Sequence, residues 1–317
     1  MAICLIGAGT NLPEPRQPQD PIAQQGCLAD PRPFQADHQM MADTAQKAVQ
    51  DALEQAGTRA DEIDLIVTMG ISPSHVADDP EILGPRVGHP IQRDMDISKA
   101  FVFDTLDGDL NFAMDLAESF FNLYPFKRAL LIHAECGAPS VKPCPETGMA
   151  LSDGVSALVV SPDFSRTEMG ASYADISDRL DPLSMYPLPR DKETATTELV
   201  RLDFKAPPTL FSSIREAASQ VINQEATRFT NPSAEFVMEN WFADSTPEQD
   251  ELAEDIRAYP TPEGFGRTGP HTIALAAREK IEAFDPQEND EGQFLLTTFN
   301  PYKMRLGCRS VRIRRAS

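Results

Sequence analysis

Positive charge is scarce in this chain. Twenty-eight Lys and Arg face 49 Asp and Glu across 317 residues, a formal net charge of −21. A field of that sign repels phosphate backbones and anionic lipid surfaces, which argues against nucleic-acid and membrane-surface binding and favours a basic partner. Long apolar runs are missing too: none approaches the roughly 18–20 residues of a membrane-spanning helix. The opening "MAICLIGAGTNLPEP" lacks a basic flank and breaks at Pro13, so it does not read as a signal peptide. Cysteines are few, odd in number and without C-x-x-C spacing: Cys4, Cys27, Cys136, Cys144 and Cys308. They read as reduced thiols of a cytoplasmic protein, with neither a disulfide framework nor a zinc site. His38, His75, His89, His133 and His271 show no H-x-x-x-H pairing, which leaves metal chemistry unsupported. Glycine (17) is outnumbered by proline (27), a sign of rigid connections.

What is present is enough for a large core, with 41% hydrophobic residues. "AICLIGAG" is a short apolar strand. Its "GAG" suggests a dinucleotide loop, but no third glycine follows, and Pro13 and Pro15 forbid the helix that would cradle a phosphate. Residues 13–37, rich in proline and glutamine, read as a surface loop. In "ADHQMMADTAQKAVQDALEQAG", Met41, Ala45, Ala48, Val49, Ala52 and Leu53 recur at helical spacing, and Gly57 is placed to end the helix. "EIDLIVTMGIS" and "AFVFDT" are buried strands. A helix from about Leu110 to Phe121 follows, then the strands "RALLIHAE" and "DGVSALVVSP".

The second half repeats that order. "PTLFSSIREAASQVINQEA" and "GPHTIALAAREKIEAF" are helices, and "AEFVMENWF", "GQFLLTTFN" and "LGCRSVRIRR" are strands. Pairing Leu65 with Val237, Leu131 with Leu296 and Ala157 with Val311 gives offsets of 172, 165 and 154 residues, the slow drift of a duplicated unit with unequal loops. Alternating helices and continuous apolar strands predict a mostly parallel or mixed sheet covered by helices. The expected fold is α/β, two packed halves (1–165 and 166–317) forming an α/β/α/β/α body.

That duplication, with "AQKAVQDALEQAGTRADEIDLIV", "FDTLDGDLNFAMDLAESF", "ALSDGVSALVV" and "GQFLLTTFNPYKMRLGCRSVRI", resembles the thiolase fold and, within it, the ketoacyl synthase III group. "ISPSHVADDPEILGPRVGHPIQ", "ENWF" and "FNPYKM" further resemble the non-catalytic subunits of heterodimeric alkylquinolone synthases. The match is poor across about 165–230.

The resemblance implies a reactive cysteine at a helix N-terminus, where the dipole favours the thiolate, with a histidine and an asparagine from the second half handling protons and oxyanion. Here the cysteine position falls on Asp109, with Asp107 nearby; the histidine position falls on Asn240; the asparagine position falls on Pro270, or on His271 after a one-residue slip. A carboxylate is a poor acyl acceptor and reads better as a helix N-cap. An amide cannot shuttle a proton near neutral pH, and proline offers no donor. No catalytic residue is therefore expected: Asp109, Asn240 and Pro270 are vestigial positions, and His271 is a weak candidate that more often packs or caps. Trp241 is placed to fill the vacated cavity. Cys136, at a strand end on the wrong element for the tunnel, reads as a small turn residue, and Cys144 lies between prolines in a loop with no obvious base. Ser152-Asp153-Gly154 reads as a tight structural turn. The basic "RSVRIRR" suits a coenzyme A phosphate, an acidic patch or a solvated tail, the last being preferred.

The function implied is that of a subunit, inactive alone, pairing with a cysteine-bearing ketoacyl synthase III-like subunit as a heterodimer. Together they would condense a fatty-acyl thioester, acyl-CoA or acyl carrier, with a β-keto acid in alkylquinolone-type biosynthesis. No cofactor is bound covalently. The alternatives are a stand-alone acyltransferase or condensing enzyme with Asp109 as base, and a ligand-binding pseudoenzyme. Chain length of the acyl group and the acceptor stay open.

Overall fold

In the computed structural model, which describes residues 2–12, 38–70, 87–105, 108–135, 154–165, 170–176, 184–187, 200–203, 209–228, 234–239, 246–259, 271–284, 293–300 and 303–314, the two halves of the chain build the same unit twice. The first comprises β1 (Ala2–Asn11), α1 (His38–Gln55), β2 (Leu65–Met69), α2 (Gly88–Asp94), β3 (Phe101–Asp104), α3 (Leu110–Leu123), β4 (Ala129–Glu135) and β5 (Gly154–Asp163). The second comprises β6 (Ser172–Asp175), a separate antiparallel hairpin β7 (Ser184–Pro187) and β8 (Val200–Asp203), α4 (Leu210–Ala226), β9 (Ala234–Met238), β10 (Ile256–Ala258), α5 (Thr272–Ala283), β11 (Gln293–Asn300) and β12 (Arg305–Ile313).

The strand order is β3-β2-β4-β5-β1 in one unit and β10-β9-β11-β12-β6 in the other. Directions match strand for strand: β2 is parallel to β3 and β4, as β9 is to β10 and β11, and β5 and β12 are antiparallel to both of their neighbours within the unit. The two sheets join where Cys4 and Leu5 of β1 run parallel to Arg312 and Ile313 of β12, on the stretch of β12 that lies beyond its pairing with β6.

Side chains alternate across each strand, and that alternation sorts the core into three layers. Ile3, Leu5, Leu65, Val67, Leu131 and Leu158 of the first sheet meet Val237, Phe294, Leu296 and Val311 of the second around α3 and α5. The intervening residues Cys4, Ile6, Ile66, Leu130, Ile132 and Val159 face α1 and α2. Phe236, Met238, Leu295, Leu306 and Cys308 face α4. The result is the expected α/β/α/β/α stack, with α3 and α5 as its middle layer.

The "GAG" segment now has a physical role. A Cβ on Gly7 would stand 2.3 Å from the Ala52 carbonyl oxygen, and one on Gly9 would stand 2.1 Å from that of Ala48. These glycines let α1 lie directly on β1, and they back onto a helix flank. Three sequence readings need correction. Ala157 faces α1 whereas Val311 faces the middle layer, so that pairing was one residue out of phase. The "RSVRIRR" segment is no solvated tail, because Arg309 is 2% exposed and residues through Ile313 are strand. The helix α2 and the strands β6 and β10 went unread, each being too short for periodicity to show. The expectations for residues 13–37, Asp107, Cys27, Cys136, Cys144, Ser152, Asp153, Asn240, Trp241 and Pro270 lie outside the described residues.

Candidate functional site

The two middle-layer helices start beside one another, and their first turns frame the candidate site. Asp109 is the N-cap of α3, with extended backbone (φ −100, ψ 172), and its Oδ1 accepts the Phe112 N–H at 3.0 Å. The cap was readable from sequence; its other partners were not. The Thr298 hydroxyl donates to Asp109 Oδ1 and the Asn300 amide to Oδ2, each at 3.3 Å, and the Asn111 amide donates to Thr298 Oγ1 at 3.0 Å. Asp109, only 9% exposed, therefore ties a helix of the first half to β11 of the second.

His271 occupies the equivalent N-cap position of α5, fully buried, but its side chain does not cap the helix. Its Nδ1 lies 3.1 Å from Ser156 Oγ on β5, and its ring meets that of His133 edge to face at 5.6 Å between centroids. His133 Nε2 in turn lies 2.7 Å from the buried carboxylate of Glu135, its neighbour on the same face of β4. A small cavity, with room for about one water-sized sphere, is lined by Met69, Leu110, Leu131, His133, Ser156, Leu158 and Ala274. Gly154 approaches His271 so closely that a Cβ there would stand 2.9 Å from Nε2. Sequence reasoning singled out His271 and missed His133, Glu135 and Ser156. Alternation on β4 and β5 was the available signal, since it put polar residues on strand positions that read as buried.

The arrangement thus holds two kinds of polar group. One is a carboxylate surrounded by donors at the start of α3; the other is a buried chain of imidazoles with an acid and a hydroxyl. The thiols described are remote from both. Cys4 and Cys308 are free and buried in the outer layers. Burial pushes Cys4 up to about 12 and Cys308 higher still, so neither is a ready nucleophile. Among the described residues, no group of three or more His, Cys, Asp or Glu is placed to hold a metal ion, and no helix is long and apolar enough to cross a membrane.

Farther along α3 the surface changes character. Phe101 and Phe103 of β3, 54% and 36% exposed, stand beside Phe120, Tyr124 and Phe126, with ring centroids 5.0–5.8 Å apart for Phe103–Phe120, Phe101–Phe126, Tyr124–Phe126, Phe120–Tyr124 and Phe120–Phe126. Leu123 and Tyr124 are exposed beside them. Strand β3 ends its sheet, with β2 as its one partner among the described strands. An edge strand flanked by exposed aromatic rings is a surface suited to association.

Fold and site together define a thiolase-like α/β/α/β/α protein, the architecture of solved ketoacyl synthase III structures. Among solved structures, the priming β-ketosynthase of the R1128 polyketide biosynthetic pathway superposes with a TM-score of 0.73 at 16% identity, covering 100% of this chain and 97% of the other. The 3-oxoacyl-(acyl carrier protein) synthase III FabH of Pseudomonas aeruginosa PAO1 gives 0.70 at 17%, covering 99% of each. By sequence the chain is similar to the 2-heptyl-4(1H)-quinolone synthase subunit PqsB of Pseudomonas aeruginosa, 28% identical over 256 residues, 79% of this chain and 86% of that one. No protein-family model matches.

Proposed function

We propose that this chain is a non-catalytic subunit that pairs through the β3 face with a cysteine-bearing ketoacyl synthase III-like subunit. The pair would condense a fatty-acyl thioester with a β-keto acid to give an alkylquinolone-type product. The observation that carries the reading lies on one helix: α3 begins at a capping carboxylate, the position where the resemblance implies a cysteine, and ends in an exposed aromatic face beside an open strand edge. Asp109 offers no sulfur to acylate, and three donors already converge on its oxygens, which also disfavours it as the base of a stand-alone acyltransferase. The subunit status of PqsB, a relative along most of the chain, supports a partnered role.

The experiment is co-expression with a cysteine-bearing synthase III-like chain of the same organism, followed by size analysis and thioester turnover. The wild-type pair co-purifies and turns over. The Phe101→Asp/Phe103→Asp chain folds but does not co-purify, whereas Asp109→Asn co-purifies and leaves turnover within about threefold, the effect of a charge lost outside the reacting centre. Turnover by the lone chain, abolished in Asp109→Asn, would establish the acyltransferase alternative instead.

A further inference from the structure

Between its two ends α3 is held by a polar seam that stability alone does not explain. Asn111, Asp115 and Glu118 recur at i, i+4 and i+7, one stripe of the helix. They face Gly307 and Arg309 of β12 and Tyr173 of β6. Arg309 forks across the stripe: one terminal nitrogen donates to Glu118 Oε1 at 2.5 Å and the other pairs with Asp115 Oδ1. The Tyr173 hydroxyl donates to the second oxygen of Asp115 at 2.5 Å, and the Gly170 N–H donates to Glu118 Oε2 at 3.2 Å. A Cβ on Gly307 would stand 2.8 Å from the Tyr173 ring and 2.9 Å from the Asn111 amide nitrogen, so the strand is bare there to let the seam close.

The seam is energetically poor. The Arg309 Nε and the Asn111 Oδ1 are buried without hydrogen-bond partners among the described residues. Burial raises the Glu118 carboxyl above its ordinary value despite the guanidinium beside it. Buried ion pairs of this kind are often replaceable by apolar side chains without loss of stability, and their attested use is to fix register. An apolar seam would let a helix slide, each residue of slip moving it about 1.5 Å along its axis and rotating it about 100°. A fork that engages two carboxylates three residues apart permits one axial position only.

We propose that Arg309 is a register pin for α3, setting the position of Phe120 and Tyr124 and so the geometry of the aromatic face. Its link to partner capture rests on the function proposed above; the pin itself does not. The test uses the full chain with Arg309→Met and Glu118→Leu together, leaving Asp115 bonded to Tyr173. Three readings are taken: the thermal midpoint, backbone amide exchange of the lone chain, and capture of the co-expressed cysteine-bearing synthase chain. The midpoint stays within about 3 °C of wild type, amides of residues 113–121 exchange at least about tenfold faster while those of α1 do not, and capture weakens by a similar factor. Arg309→Lys, which keeps the charge and loses the fork, gives an intermediate exchange rate. Unchanged exchange in α3 overturns the proposal, as does faster exchange spread equally through α1, which would make Arg309 an ordinary stability residue. If the wild-type chain captures no synthase, the pairing function falls, while exchange on the lone chain still decides the pin.

Discussion

The side-chain amide of Asn300 donates to the carboxylate of Asp109 across 191 residues of sequence, joining the cap of a first-half helix to a second-half strand. Asp109→Ala removes the cap and leaves Thr298 and Asn300 without their shared acceptor. The lost N-cap and the two lost side-chain hydrogen bonds together predict a destabilisation of about 2–3 kcal/mol. Asp109→Asn keeps an acceptor oxygen and loses less, about 1 kcal/mol. Urea unfolding of the two variants checks the order; equal losses would show that the cross-half bonds contribute nothing.

Gly9 predicts a steric result. A methyl group there meets the backbone of α1, with the Ala48 carbonyl oxygen at 2.1 Å and the Ala52 nitrogen at 2.6 Å, and backbone cannot rotate away. Gly9→Ala should cost at least about 2 kcal/mol, in the range of overpacked cores, and thermal unfolding reads it. Were the segment a phosphate loop with open space, the same change would be nearly neutral.

Two buried carboxyls predict pH dependences of opposite sign. Burial raises Glu118, so its contribution is fully present below its unfolded value and is lost as pH rises through the folded one. Asp163 is also opposed by burial, but the Ser165 hydroxyl and N–H, Arg312 and Arg314 outweigh that and lower it, so its contribution is present above its unfolded value and lost as pH falls. Relative to wild type, Glu118→Gln should therefore gain stability as pH rises from about 4 to 7, and Asp163→Asn should lose it as pH rises through about 4. Melting curves across pH 3–8 measure both, and slopes of the same sign would contradict the assignment.

Burial also predicts the chemistry of two thiols. With Cys4 pushed up to about 12 and Cys308 beyond, neither should alkylate in the native protein at pH 8, and both should do so in denaturant. Peptide mass spectrometry after iodoacetamide distinguishes the two states. Native labelling of either would mean that its outer helix opens readily.

Much of the fold was legible because helices and strands here obey their periods. Ala45, Ala48, Val49, Ala52 and Leu53 mark one face of α1 and all are buried, and the apolar strands Leu65–Met69 and Ala129–Glu135 are buried along their whole lengths. The errors have equally local causes. Pairing Ala157 with Val311 compared two hydrophobic residues without knowing which sheet face each took. Reading "RSVRIRR" as a tail counted charges without knowing that Glu118, Asp115 and Asp163 lay opposite them.

By itself the sequence determined the layered α/β plan, the acidic field and the capping carboxylate at the start of α3, because composition, periodicity and side-chain chemistry are properties of residues taken singly or with near neighbours. Only the tertiary structure decided what surrounds that carboxylate and what holds its helix. Asn300, Thr298 and Arg309 lie 187 to 194 positions from their partners on α3, and contacts at that range exist only once two sheets have closed on a shared pair of helices.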